Sequence, residues 1–265
     1  MTPVSCSISG GFARICLQDT QRGNPIDQAM VDGLAEAVRE IREADVAVVV
    51  LESAAAAFSV GGDLHAFAAA EAPDRLIDDL AESLHRVVSE LHRLDAIVVA
   101  VVRGVAAGAG LSLAAAADLI IAARSARFVM AYTGVGLTPD GGGALLHNSL
   151  GLHRALGLAL LNPTLSAAEA HQVGLVTQVH PDDEMDAAVD QVVCSLTSGS
   201  RAALVSTKRL IRDSAMPGAE ATLRRETASI RSRAGSPDGR EGVRAFIEKR
   251  VPIFPENPVG ADHAR

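Results

Sequence analysis

Cysteine, lysine and aromatic residues are scarce in this chain, and the cysteine and aromatic scarcities each remove a class of function. Its three cysteines, Cys6, Cys16 and Cys194, stand far apart in 265 residues. No C-x-x-C and no paired histidine spacing accompanies them, so neither a disulfide framework nor a zinc site is supported, and a reducing cytoplasm is the expected compartment. Aromatics make up 3 % of the residues, and 24 Lys+Arg stand against 32 Asp+Glu for a formal net charge of −8. Nucleic-acid binding needs a basic patch, often interleaved with stacking rings, and is not expected. Lysine occurs only at positions 208 and 249.

Long apolar runs are missing as well. The longest uncharged one lies between Arg103 and Asp118; it is shorter than the roughly 20 residues a bilayer requires, and rich in Gly and Ala. No membrane span is expected, and no signal peptide is read at the N-terminus. Phosphate-loop and nucleophile-elbow patterns are absent, and the Gly104–Gly110 stretch does not complete G-x-G-x-x-G, so the chief sequence supports for NTPases, α/β-hydrolases and dinucleotide binding fall away. What remains, with 48 % hydrophobic residues, is a soluble globular chain of one domain with a helical appendage.

Elements follow from periodicity. Two short runs, Val4 to Ser9 and Phe12 to Leu17, flank Gly10-Gly11 and predict a hairpin. Asp27 is placed to cap a helix carrying Met30, Leu34, Val38 and Ile41 on one face; Val46 to Leu51 reads as a buried strand. Residues 74–94 form a second amphipathic helix, followed by strands at 97–102, 119–122 and 128–130. Strands alternating with helices predict βαβ units and a largely parallel sheet. Helical segments are expected at 141–150 and 153–161, and Ser166-Ala-Ala-Glu169 is a capping box opening another helix before a strand at 176–179. From Glu184 onward only helical periodicity is present.

Two glycine-rich turns, Phe58-Ser-Val-Gly61-Gly62-Asp63-Leu64 and Val105-Ala-Ala-Gly108-Ala109-Gly110-Leu111, each follow a buried strand and precede a helix. Such turns either present free N–H groups to an anion or merely permit tight packing. Their full context is more specific. Ala54 to Leu64 and Val101 to Leu111, with Arg22-Gly-Asn24-Pro25, Gly136-Leu-Thr-Pro139-Asp140-Gly-Gly142-Gly143 and Ser166-Ala-Ala-Glu169 through Gly174-Leu-Val176, resemble in order the motifs of the crotonase, or enoyl-CoA hydratase/isomerase, family over nearly the whole chain.

The resemblance implies an α/β fold: a ββα spiral core over residues 1–195 with the thioester site, and a C-terminal helical trimerisation region over 196–265, the trimers often pairing into hexamers. It implies an acyl-CoA thioester substrate that carries its own coenzyme A, with no separate cofactor. The family's two thioester-binding N–H groups fall on Gly62 and Ala109, where they would stabilise an enolate oxygen. Arg22, Gly61, Asp63, Leu64, Tyr132 and Lys249 fall on or near substrate-contacting positions, Arg22 and Lys249 toward the CoA phosphates.

The departures bear on the reaction. Where hydratases of this family have two glutamates, this chain has Ser112 and Tyr132, whose neutral hydroxyls are poor bases near pH 7. Asp140 matches the catalytic aspartate of the family's isomerase branch; an Asp before a helical segment is also a preferred cap. His85 falls where aryl-CoA dehalogenases of the family have a water-activating histidine, although a histidine among core leucines is ordinarily a boundary residue. Double-bond isomerisation is the leading expectation. Atypical hydration, dehalogenation and substrate binding without turnover stay open.

Overall fold

A computed structural model describes residues 2–216 and 218–255. β1 (Val4–Ser9) and β2 (Phe12–Leu17) form the expected hairpin, with Val4 opposite Leu17 and Ser9 opposite Phe12. Gly10 and Gly11 make the turn at φ +59° and +80°, the left-handed pair a two-residue hairpin loop demands. After β3 (Pro25–Ile26), Asp27 caps α1 (Gln28–Glu43) by accepting from the Met30 N–H, and Met30, Leu34, Val38 and Ile41 are buried beneath it.

The chain then repeats one plan. β4 (Val48–Ser53) is followed by β5 (Gly61–Gly62), α2 (Leu64–Ala69) and α3 (Pro73–Arg93); β6 (Ile97–Val102) by β7 (Val105–Ala107) and α4 (Ala109–Ala115); β8 (Leu119–Ala123) by β9 (Arg127–Val129). In each turn a long strand joins the main sheet, a short one leaves it, and helix or loop returns the chain. The main sheet runs β1-β2-β4-β6-β8-β11, parallel except for the hairpin, with β11 at Gln178–His180. The short strands pair separately, β3 with β5 and β7 with β9, β9 also taking β10 (Leu165–Ser166). This is a crotonase-type ββα spiral. Its long strands begin at residues 12, 48, 97 and 119, a spacing too irregular to register as a sequence repeat.

Strand alternation sorts the core into two faces. Val49, Leu51, Val98, Ala100 and Val102 point into the main core under α1 and α3. Val48, Val50, Val99 and Val101 point the other way, against Met185, Val189 and Val193 of α8 (Met185–Thr197). The strand expected at 46–51 lies two residues later because the hairpin sets its register, Phe12 opposite Val48; the last strand is likewise at 178–180, not 176–179.

The single helix expected over 141–150 is broken. Gly141 and Gly142 sit at φ +64° and +94°, and a short 3₁₀ turn (Gly143–Leu146) precedes α5 (His147–Leu150). Then come α6 (Leu152–Leu161) and α7 (Ala167–Gln172), whose capping box forms as expected. α9 (Arg201–Ala215), α10 (Ala219–Ala234) and α11 (Pro237–Ile247) are the last helices among the described residues. α10 packs along α3, and α11 against α2 and the 3₁₀ turn Thr133–Val135, so the tail closes over the core; the expected division at 195/196 falls inside α8. Among the described residues no helix is long and apolar enough to cross a membrane.

Candidate active site

The two glycine turns lie against each other, and sterics explain their composition. Gly61 adopts φ +91°, and a Cβ there would come within 2.9 Å of the Ala107 carbonyl oxygen. A Cβ on Gly110 would stand 2.5 Å from the Cβ of Ser59. Ser59 is fully buried and ties the turn down: its hydroxyl donates to the Asn24 carbonyl (2.7 Å) and accepts from the Gly61 N–H (3.2 Å). Asn24, itself buried at φ +57°, donates its amide to Ser53 Oγ (2.7 Å) and the Phe58 carbonyl (3.1 Å). The Asn24-Pro25 motif is thus a clamp on the first glycine turn. Beyond Gly108, Ala109 opens α4 without a side-chain cap, so its N–H is among those a helix cannot satisfy internally.

Gly62 and Ala109 both line a cavity of about 740 Å³, as do Gly61, Asp63, Leu64, Tyr132 and Asp140. The rest of the chamber is mainly apolar, with Phe67, Ile77, Leu80, Leu84, Leu137 and Ile230 prominent, and among the described residues lining it there is no Lys, Arg or His. Seven of the residues singled out from sequence therefore meet in one place.

Asp140 is 4 % exposed. Burial pushes its carboxyl up to about 6, an effect opposed by the Tyr132 hydrogen bond and then by the neighbouring His85, and reinforced by the negative charge of Glu226. Tyr132 donates its hydroxyl to Asp140 Oδ1 at 2.5 Å. Burial first, and then the adjacent Asp140 charge, hold that phenol well above its ordinary value, so it stays a donor. Ser112 donates to the Asp140 carbonyl at 2.8 Å. Tyr132 and Ser112, the positions where the resemblance places the hydratase glutamates, thus both hydrogen-bond to Asp140, one at its side chain and one at its backbone. Asp140 does not cap the following turn with its side chain: the turn's N–H groups of Gly142 and Ala144 donate instead to Glu226, at 2.8 and 2.6 Å.

Glu226 was not foreseen. It is 4 % exposed and projects from α10 into the back of the site. Its signal was an acid within the apolar stripe Leu223, Thr227, Ile230, Ala234 of its helix. His85, also buried, stands beside it. Its Nε2 accepts from the Gly141 N–H at 2.9 Å, while Nδ1 lies 2.9 Å from Thr227 Oγ1, whose hydroxyl donates onward to the Leu223 carbonyl. The ring is accordingly the Nδ1–H tautomer. The 3.3 Å approach of His85 Nε2 to Glu226 Oε2 is a meeting of two acceptors aimed at consecutive N–H groups, not an ion pair. His85 is not among the residues lining the cavity.

The two residues singled out for the CoA phosphates, Arg22 and Lys249, do not line this cavity. The half-exposed Arg22 guanidinium is committed to carboxylates of Asp19, Asp27 and Asp63; Asp63 also caps α2, accepting from the His65 and Ala66 N–H groups. Lys249 is exposed, beyond the end of α11, and does not line the cavity.

Fold and cavity define a class: a ββα spiral whose paired glycine turns face an apolar chamber with one buried acid. The chain belongs to the enoyl-CoA hydratase/isomerase family, whose sequence model matches residues 7–257. It is 36 % identical to the 1,2-epoxyphenylacetyl-CoA isomerase of Escherichia coli K12, over 93 % of this chain and 96 % of that one. Among solved structures it is similar to an enoyl-CoA hydratase from Mycobacterium avium subsp. paratuberculosis, with a TM-score of 0.87 and 34 % identity over 95 % of this chain and 98 % of that one. It also resembles a putative enoyl-CoA hydratase from Thermobifida fusca in complex with acetoacetyl-CoA, with a TM-score of 0.75 and 31 % identity over 86 % and 93 % of the two chains.

Proposed function

We propose that this protein is an enoyl-CoA isomerase that moves a carbon–carbon double bond along the acyl chain. The observation that carries the reading is Asp140: the one buried carboxyl among the described residues lining the cavity that also holds Gly62 and Ala109, raised to about 6. A base titrating near the working pH is well matched to abstracting a proton. The Asp140 carboxylate takes a proton from C2 of a 3-enoyl thioester, and the C–H electrons pass into the thioester to give a dienolate. The N–H groups of Gly62 and Ala109 hold its oxygen. Asp140 then returns the proton to C4, the double bond forms between C2 and C3, and the carbonyl is restored. Nothing is gained or lost, so no water and no cofactor is consumed, and the coenzyme A stays on the acyl group throughout.

Hydration would need a second group to hold and activate water, and the positions that supply it elsewhere in the family are taken by Ser112 and Tyr132, both committed to Asp140. The acetoacetyl-CoA complex of the Thermobifida fusca relative supports an acyl-CoA as the occupant. Assembly as a homotrimer, or as two paired trimers, through the tail and α6 belongs to the same proposal; Leu152, Leu156 and Leu160 form an exposed apolar stripe at four-residue spacing on α6, and light scattering reads the oligomer directly. The test of function is incubation with a 3-enoyl-CoA and, separately, a 2-enoyl-CoA, with products resolved by mass and chromatography beside Asp140→Asn. A shifted double bond at unchanged mass, lost in the variant, supports isomerisation. The mass gain of one water overturns it.

A further inference from the structure

The turn that presents Asp140 is held from behind by side chains from two other parts of the chain. Gly141 and Gly142 stand at left-handed φ, where glycine alone is unstrained, and a Cβ on Gly141 would also come within 2.9 Å of Leu84 Cδ2. A segment this free of side chains does not fix its own conformation. Three of its N–H groups are taken by buried acceptors: Gly141 by His85 Nε2 of α3, Gly142 and Ala144 by the two oxygens of Glu226 of α10. Thr227, next to Glu226, accepts from His85 Nδ1 and locks the ring. All three holders are nearly inaccessible, so the contacts are made at low dielectric, where leaving a group unpartnered is costly.

We propose that Glu226 and His85, with Thr227 behind them, are positioning residues that hold the 140–144 turn and so fix where the Asp140 carboxylate points into the cavity. The inference rests on Asp140 being the working base. It gives the C-terminal helices a share in the chemistry: α10 reaches across to a loop 84 residues away in sequence and supplies the acceptor the loop lacks. It also assigns a role to His85 other than water activation. Glu226 has an electrostatic consequence as well, because its charge adds to burial in raising Asp140. The other groups facing Asp140 are the Tyr132 phenol and His85, both of which oppose that rise, and His85 also presents its Nε2 to the turn.

The test separates geometry from charge. With ¹³C-carboxyl-labelled aspartate, and Asp140→Asn for assignment, the Asp140 midpoint is followed by NMR in the wild type, Glu226→Gln and Glu226→Asp, alongside kcat and KM. Glu226→Gln is expected to move the midpoint down from about 6 and to lower kcat about 10²-fold through misplacement, with KM nearly unchanged. Glu226→Asp keeps the charge but not the reach; it is expected to lower kcat while the midpoint stays near its wild-type value. A lowered melting temperature with both midpoint and kcat unchanged would reduce Glu226 to a structural role and overturn the proposal. Should Glu226→Gln not fold, Thr227→Val decides, since a fall in kcat at unchanged KM supports the proposal and an unchanged kcat overturns it. If Asp140→Asn itself remains active, the isomerase reading fails, while the NMR midpoints still report whether Glu226 acts on Asp140.

Discussion

The part-buried Asp118 and the buried Asp140 are both acids at the edge of the core, and their surroundings are opposite. Asp118 is matched on every side: Lys208 Nζ at 2.8 Å, Arg212 Nε at 2.7 Å and the Val98 N–H at 2.8 Å. Lys208 also donates to the carbonyls of Leu91 and Ala96, so the cluster pins α9 to the end of α3 and the start of β6. Asp140 is met by one neutral phenolic hydroxyl and an apolar wall. A buried carboxylate that meets cations is a fastening. One left with a single neutral donor keeps its appetite for a proton, and burial then becomes a source of reactivity.

The sharpest way to break this contrast is to neutralise each acid. Asp140→Asn is expected to lower isomerase kcat by about 10²- to 10⁴-fold, the usual worth of a positioned base. Asp118→Asn should leave kcat per folded molecule near wild type but cost up to about 3–5 kcal/mol in denaturant unfolding, because the buried Lys208 and the part-buried Arg212 lose their counter-charge. Equal losses of kcat in both, with both folded, would erase the distinction.

A second prediction concerns stability and reverses the usual expectation for an active-site change. Asp140 sits at about 6 in the folded protein against 3.8 when unperturbed, so between those values the folded state binds more protons than the unfolded one. Stability therefore falls as pH rises through that window, by up to about 3 kcal/mol once it is passed. Asp140→Asn removes this penalty and should be more stable than wild type at pH 8 and little different at pH 4, as read by chemical denaturation.

The smallest effect is a shift of profile. In the proposed mechanism the base works ionised, so kcat/KM should rise through an apparent pKa near 6 and level off above it. Tyr132→Phe deletes the donor that favours the anion, and the acid limb should move up by about one to two pH units, the worth of a hydrogen bond to a charged group. A limb that stays in place would mean the phenol does not act on the base.

The sequence made some of this legible and hid the rest for physical reasons. Features that depend on local chemistry could be read directly: the Gly10-Gly11 hairpin, the Asp27 and Ser166 caps, the apolar stripe of α1, and glycine turns whose backbone must pass close to another chain segment. Asp140 could be singled out because the ordered motifs around it resemble a family with an acid there. The partners could not. Glu226 and Asp118 are both single acids near apolar residues, and only the fold places one beneath a glycine turn and the other between two cations. The broken helix at 141–150 has the same origin, since Gly141-Gly142-Gly143 adopts its turn because His85 and Glu226 receive its N–H groups. Arg22 was singled out for the CoA phosphates by resemblance alone, and the sequence could not show Asp19, Asp27 and Asp63 converging on it.

The central claim, a single shielded base shuttling one proton, is tested most directly by isotope transfer. A 3-enoyl-CoA carrying two deuterons at C2 is converted in ordinary water and the product examined by mass and NMR. With Asp140 only 4 % exposed, the abstracted deuteron should reappear at C4 in a 2-enoyl product of unchanged mass. Complete loss of that deuteron to solvent, or a product heavier by one water, would contradict the account.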